Sequence, residues 1–83
     1  MQEYANTGGD SGILSYKIGE NYIVVEFEFG DTRFYSYTYQ STGKARVDVM
    51  KSLAEAGEEL NTYINKEIRK DYYKRGYSLA DVL

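Results

Sequence analysis

Apolar residues change their spacing once along this chain, and that change constrains the fold more than any other feature. Up to Tyr39 they recur at every second position, so that they share one face of an extended strand. After Gly43 they recur at every third or fourth position, so that they share one face of a helix. The sequence therefore predicts an α+β fold in which strands come first and helices follow.

Three strands are predicted in the first part of the chain. Residues 13–18 form the first strand, with one face made by Leu14, Tyr16 and Ile18. Residues 22–29, "YIVVEFEF", form the clearest strand, with an apolar face made by Ile23, Val25, Phe27 and Phe29. Residues 33–39 form the third strand. The short turns between consecutive strands indicate an antiparallel meander.

Two helices are predicted after the meander. The first is capped by Ser41 or Thr42 and ends at Gly57. The second covers residues 58–74, and its apolar stripe consists of Leu60, Ile64, Ile68 and Tyr72. Since each helix has one apolar stripe, we expect the pair to pack on one face of the three-stranded sheet, in the order β-β-β-α-α.

The two ends of the chain are predicted to be less regular. Residues 1–11 contain "NTGGDSG", which favours turns and offers little to bury. A flexible N-terminal lead is therefore predicted before a single domain at residues 12–83. Near the C-terminus, Ser78 and Asp81 have the spacing of a capping box, which predicts one capped helical turn.

Composition excludes several classes of function. The chain of 83 residues contains no His and no Cys, which removes the commonest general base and all thiolate ligands and nucleophiles. The sequence therefore predicts a non-catalytic protein with no cofactor and no metal site. No apolar run approaches the roughly 20 residues that cross a bilayer, and the N-terminus lacks the pattern of a signal peptide. A cytoplasmic protein without a membrane role is expected.

Two short motifs resemble those of the KTSC domain family. They are "YSY" at residues 35–37 and, after a helix that ends at a Gly, "LNTYI" at residues 60–64. The similarity covers residues 11–73, although the Val-Pro that the family often has before its first helix is missing. The resemblance implies a small domain found at the C-terminus of some lysyl-tRNA synthetases and as a stand-alone bacterial protein. It implies no catalytic residues and suggests nucleic-acid binding; the matched positions are Tyr35, Tyr37, Asn61 and Arg69.

The segment "RFYSYTYQ" has tyrosines at alternate positions, which share one face of the third strand: Tyr35, Tyr37 and Tyr39. This row is either part of the core or an open platform on which bases stack. The length of the preceding hairpin loop decides between the two. A two-residue loop puts the tyrosines on the Glu-bearing face of the preceding strand. A three-residue loop pairs Phe27 with Tyr35 and puts the tyrosines on the apolar face.

Charge is distributed unevenly along the chain. The net charge of −3 divides into −4 over residues 1–43 and +1 over residues 44–83. Four cations can share one side of the second predicted helix, where phosphates would bind: Lys66, Arg69, Lys70 and Lys74. Together with the tyrosine row, these residues predict a binding module with weak affinity for single-stranded RNA.

The alternative is a protein-interaction or structural module with no nucleic-acid role. Residues 13–18 can lie at a sheet edge, where unpaired backbone groups favour self-association. A monomer or a weak homodimer is expected, with RNA or another protein as the partner.

Overall fold

A computed structural model describes residues 1–9 and 12–83 of this chain. Within these residues one sheet has its strands in the order β1-β2-β3-β4-β5, and every neighbouring pair is antiparallel. The strands are β1 Gln2–Glu3, β2 Ile13–Ile18, β3 Tyr22–Phe27, β4 Phe34–Thr38 and β5 Lys74–Gly76. The helices are α1 Tyr39–Thr42, α2 Lys44–Ala56, α3 Leu60–Tyr63 and α4 Leu79–Val82, and a π-helical turn, Ile64–Ile68, continues α3. The predicted α+β class and the antiparallel sheet are confirmed, whereas the predicted numbers of three strands and two helices are wrong.

β1 and Tyr4 occupy the segment for which the sequence predicts a flexible lead. β1 pairs with β2, and the Tyr4 side chain is buried in the main core. The backbone N–H of Leu60 donates to the Tyr4 hydroxyl at 3.3 Å, which joins this segment to the start of α3. Residues 1–9 are therefore attached to both the sheet and the helical layer. The remainder of the predicted lead, residues 10 and 11, lies outside the described residues.

The second predicted helix is shorter than its sequence pattern indicates. Its helical part is α3 and the π-helical turn, whose buried residues are those of the predicted stripe, Leu60, Ile64 and Ile68. The chain then returns to the sheet, because the N–H of Tyr73 donates to the Ser36 carbonyl of β4 at 2.7 Å. β5 continues this pairing. Lys74 consequently lies on an edge strand and not, as predicted, on a helix.

The caps explain where the first helical region begins and ends. Thr38 is the N-cap of α1, and its hydroxyl accepts a hydrogen bond from the Ser41 N–H at 2.9 Å. The predicted caps Ser41 and Thr42 are wrong, because both residues already lie inside α1. α2 ends at Gly57 as predicted. Gly57 has a φ of 74°, a conformation that glycine adopts without steric cost.

α4 lies on the sheet face opposite to α2 and α3. A Cβ atom at Gly76 in β5 would meet the Asp81 side chain, so the glycine allows this helix to approach the strand closely. Val24 and Ser36, which pair across β3 and β4, are buried on this face, as is Val82 of α4. Helices therefore cover both faces of the sheet, and the predicted packing on one face is wrong.

A β-bulge in β2 changes which of its residues face the core. The register between β2 and β3 shifts between Ile13 and Ser15. Ile13 and Tyr16 are consequently buried, while Leu14 and Ile18 remain exposed. The predicted apolar face of this strand is therefore correct only at Tyr16.

Tyr4→Ala tests whether the N-terminal segment is packed in solution. We expect the substitution to lower the free energy of unfolding by about 3 kcal/mol, because it removes a buried aromatic ring and a hydroxyl that accepts from Leu60. Urea denaturation measures the change. Tyr77→Ala is the matched control: this ring is 74% exposed, so its loss should change stability by less than about 0.5 kcal/mol. Equal effects of the two substitutions would support the flexible lead instead.

Candidate functional site

A groove of about 1010 Å³ opens between the β3–β4 hairpin and the π-helical turn. Its lining comes from the hairpin, from α3 and the π-helical turn, and from the segment that leads into and past β5. Four of the seven predicted site residues line it: Tyr35, Tyr37, Arg69 and Lys70. The other three do not line it: Tyr39, Lys66 and Lys74. Asn61, the remaining position matched by the family resemblance, also lines the groove.

The pairing of β3 with β4 decides where the tyrosine row points. Ile23 pairs with Tyr37, so Tyr37 shares the core face of the sheet. Neither predicted loop length is correct, because the Phe27 N–H donates to the Arg33 carbonyl at 2.7 Å and leaves a longer loop between them. Like the three-residue alternative, this loop has an odd number of residues, so Tyr35 and Tyr37 lie on the same face of the sheet as the apolar residues of β3. The core interpretation is therefore correct for Tyr37, and the open platform centred on that residue is wrong.

Tyr37 forms the inner wall of the groove and is only 1% exposed. Burial raises the pKa of its phenol well above the ordinary value, and the neighbouring phenols of Tyr35 and Tyr72 raise this pKa further. Among the described residues, none forms a hydrogen bond with the Tyr37 hydroxyl. The ring is buried, but its hydroxyl oxygen is not fully buried, so this group is available to a molecule that enters the groove.

Three aromatic rings form a continuous wall beside Tyr37. The rings of Phe27 and Tyr35 meet edge to face with 5.3 Å between their centroids. Tyr35 and Tyr72 meet in the same way at 5.1 Å. Edge-to-face contacts are a favoured arrangement of aromatic rings and hold the three side chains together. All three side chains are partly buried, so each presents some ring surface to the groove.

Cations without acidic partners surround the mouth of the groove. Arg69, Lys70 and Arg75 are exposed and line it. Within residues 1–9 and 12–83, no carboxylate forms an ion pair with any of the three. Asp31 is the acidic residue among those that line the groove. The local charge is therefore positive, although the whole chain carries −3.

The helical wall of the groove has an irregular backbone. Ile64–Ile68 is π-helical, a conformation that is rare and often found at functional sites. Ile64 and Asn65 of this turn line the groove together with Asn61 of α3. The Asn65 side-chain amide donates to the Asn61 carbonyl oxygen at 3.4 Å. The Asn61 NH₂ group has no hydrogen-bond partner among the described residues.

Tyr39, Lys66 and Lys74 have other surroundings. The Tyr39 hydroxyl donates to Asp48 at 2.6 Å and accepts from Lys51 at 3.0 Å, so it stabilises the contact between α1 and α2. Lys66 is an exposed cation of the π-helical turn that does not line the groove. Lys74 lies over the Tyr73 ring at 5.1 Å. The predicted helical row of four cations is therefore not formed.

Several groove residues were not among the predicted site residues. Aromatic and basic residues among them are Phe27, Phe29, Tyr72, Arg75 and Tyr77. A signal for three of them exists in "DYYKRGY", residues 71–77, where aromatic and basic residues are interleaved. Tyr73, Arg75 and Tyr77 alternate there as in a strand. The sequence predicts Phe29 on the apolar face of its strand, but this residue lies beyond the end of β3 and is 77% exposed.

No protein-family model, curated protein or solved structure matches this chain. The resemblance to the KTSC domain therefore remains a prediction. In the described part of the chain, every helix is too short or too polar to cross a bilayer. The described residues also contain no group of three or more His, Cys, Asp or Glu side chains placed to hold a metal ion.

Tyr37→Ala tests the position of this ring. We expect a loss of about 3–5 kcal/mol in the free energy of unfolding, because the substitution leaves a cavity in the core. Tyr37→Phe is the control: it keeps the ring and removes a hydroxyl that no described residue bonds, so the thermal midpoint should be unchanged or slightly raised. A melt of Tyr37→Ala that matches the wild type would contradict the core position.

A second prediction concerns stability in alkali. Because the pKa of Tyr37 is raised in the folded state above 10.0, the unfolded chain loses this proton near pH 10 while the folded chain keeps it. The stability that Tyr37 contributes is thus complete below pH 10 and is lost as the pH rises above that value. Between pH 9 and pH 11 the wild type should lose about 1 kcal/mol more than Tyr37→Phe. Urea denaturation measures the free energy of unfolding at each pH. If this free energy changes with pH by the same amount in the wild type and in Tyr37→Phe, the effect is ruled out.

Proposed function

We propose that this chain is a small, non-catalytic binding module whose groove takes a short segment of single-stranded RNA. The observation that carries this proposal is the combination of an aromatic wall with a rim of cations that form no ion pair with a described carboxylate. The wall consists of Phe27, Tyr35 and Tyr72, and the rim consists of Arg69, Lys70 and Arg75. Proteins that bind single strands combine these two elements, since bases stack on aromatic rings and phosphates contact cations.

The shape of the groove supports a short segment of single strand. Its volume of about 1010 Å³ exceeds that of one nucleotide. Phe29 and Tyr77 stand at the same end of the sheet, because the β3–β4 loop and the end of β5 lie next to each other. These two rings are 77% and 74% exposed, so bases that leave the groove can stack on them.

The distribution of ion pairs supports the position of the phosphates. Arg46 pairs with Asp71 at 3.1 Å, and Lys44 pairs with Asp48 at 2.7 Å. These cations are neutralised locally, whereas the cations at the groove are not. Arg75 in addition lies over the Tyr72 ring at 5.9 Å, so one cation is held directly beside the stacking surface. A cytoplasmic setting, as the sequence predicts, is part of this proposal.

Protein binding is the second candidate, and the exposure of Phe29 and Tyr77 beside the groove favours it. The edge that the sequence indicates gives little support to self-association, because β2 lies between β3 and β1, which pairs with Ser15 and Tyr16. The edges of the sheet are instead β1 and β5, which span two and three residues. Edges this short offer few backbone groups to a second chain.

Two double variants test the RNA proposal. Arg69→Gln/Lys70→Gln removes two cations of the groove, and Lys66→Gln/Lys74→Gln removes two cations outside it. Both variants change the net charge from −3 to −5, so they differ only in where the charge is lost. Fluorescence anisotropy with a labelled octauridylate, repeated over a range of salt concentrations, measures the affinity.

We expect the groove variant to bind at least about tenfold more weakly and the control variant to bind nearly as the wild type does. Three phosphate contacts give a slope of about −2 in a plot of log affinity against log salt, and the groove variant should retain about −0.7. Equal weakening in both variants would contradict the assignment of the groove. A wild-type chain that self-associates in sedimentation and does not bind RNA would favour protein binding.

A further inference from the structure

The crossing segment, residues 69–73, joins the π-helical turn to β5 and carries part of the groove. Lys70 and Tyr72 line the groove, whereas Asp71, which lies between them, does not. Residues 69–73 belong to neither a helix nor a strand, so no regular ladder of backbone hydrogen bonds fixes them. The positions of the two groove residues therefore depend on the contacts that Asp71 makes with the rest of the chain.

Two side chains from the helical layer hold Asp71. The Thr42 hydroxyl of α1 donates to the Asp71 carbonyl oxygen, and Thr42 is only 7% exposed. The Arg46 guanidinium of α2 donates to the Asp71 carboxylate at 3.1 Å. The same guanidinium donates to the Glu67 carbonyl of the π-helical turn at 3.4 Å. α1 and α2 thus attach to the crossing segment at the one residue that separates Lys70 from Tyr72.

We propose that Thr42 and Arg46 are positioning residues for the groove. They act through Asp71, which keeps Lys70 and Tyr72 in place, and neither of them lines the groove. The proposal rests on the RNA-binding function given above and adds the residues that preorganise its site. A segment that is ordered before binding does not have to be ordered by the ligand, and this saving appears as affinity. Arg46 also neutralises the Asp71 carboxylate, which is next to Lys70 in the chain.

Thr42→Val and Thr42→Ser test the hydroxyl. Valine keeps the shape of the side chain and removes the donor to Asp71, whereas serine keeps the donor. We expect Thr42→Val to bind labelled octauridylate about three- to fivefold more weakly than the wild type, because the loosened segment is ordered only on binding. Thr42→Ser should bind as the wild type does. Fluorescence anisotropy measures the affinity at a temperature where circular dichroism shows every variant to be folded, so a change in global stability does not alter it.

Arg46→Gln and Lys44→Gln form a matched pair. Each removes one cation of α2, but Lys44 pairs with Asp48 on the same helix and makes no contact with the crossing segment. We expect Arg46→Gln to bind about three- to fivefold more weakly and Lys44→Gln to bind as the wild type does. The salt slope of Arg46→Gln should stay near the wild-type value, because a positioning residue touches no phosphate. Loss of a direct phosphate contact would instead reduce the slope by about 0.7.

Amide hydrogen exchange of the free chain follows the crossing segment itself. The Asp71 N–H donates to the Ile68 carbonyl at 2.9 Å, so its exchange rate reports how firmly the segment is held. We expect faster exchange at this amide in Thr42→Val and Arg46→Gln, and an unchanged rate in Thr42→Ser and Lys44→Gln.

The outcomes separate this proposal from the function on which it rests. Wild-type affinity in both Thr42→Val and Arg46→Gln would overturn the positioning role and leave the RNA-binding function standing. Weaker binding without faster exchange would overturn the action through Asp71, and a reduced salt slope in Arg46→Gln would make Arg46 a phosphate contact instead. No measurable binding of octauridylate by the wild type at low salt would overturn the RNA-binding function, and the positioning role with it.

Discussion

Ile23 of β3 pairs with Tyr37 of β4, and this register places the tyrosine ring under the helical layer. The other features of the groove depend on that position. Because strand residues alternate between faces, Tyr35 lies on the same face as Tyr37, beside Phe27 at the end of the core. Ser36 then points to the opposite face, where it is buried on the side that α4 covers. One pairing therefore separates the main core and the groove from the smaller buried layer on the other side.

The groove exists because the helical layer is too short to cover this face completely. The π-helical turn ends at Ile68, and the chain then crosses to β5 instead of continuing along the sheet. Tyr72 is carried by that crossing segment and packs against Tyr35, which fixes one end of the aromatic wall. A longer helix, as the apolar stripe of the sequence indicates, would have placed Tyr72 on the helix. The crossing of the chain to β5 thus ends the helix early and also leaves the groove uncovered.

The sequence predicted the central part of the fold because local pattern determines it. β2, β3 and β4 alternate strongly, and Gly57 is a stop signal that does not depend on tertiary contacts. β1 has only two residues and is held by pairing with β2. β5 is not predicted because the helical stripe that begins at Leu60 continues to Tyr72 and outweighs the short alternation at residues 73–77. The loop length was wrong because the alternation continues through Phe29, which lies beyond the end of β3.

At the site, the burial of Tyr37 follows once the register between β3 and β4 is known. The contact between Tyr35 and Tyr72 joins segments far apart in sequence, and no local signal contains it.

The proposed binding of RNA by a chain with a net charge of −3 requires a local field that differs from the field of the whole chain. The separation of charge along the sequence achieves this: residues 1–43 carry −4, whereas residues 44–83 carry +1 and include Arg69, Lys70 and Arg75. At physiological ionic strength, exposed charges more than about 8 Å apart are largely screened from each other. Three cations and one carboxylate, Asp31, line the groove, so a phosphate at its mouth would meet a locally positive field. The acidic remainder of the chain weakens attraction at long range, so affinity depends on groups that touch the ligand. Contacts of this kind distinguish one base from another, whereas attraction at long range does not.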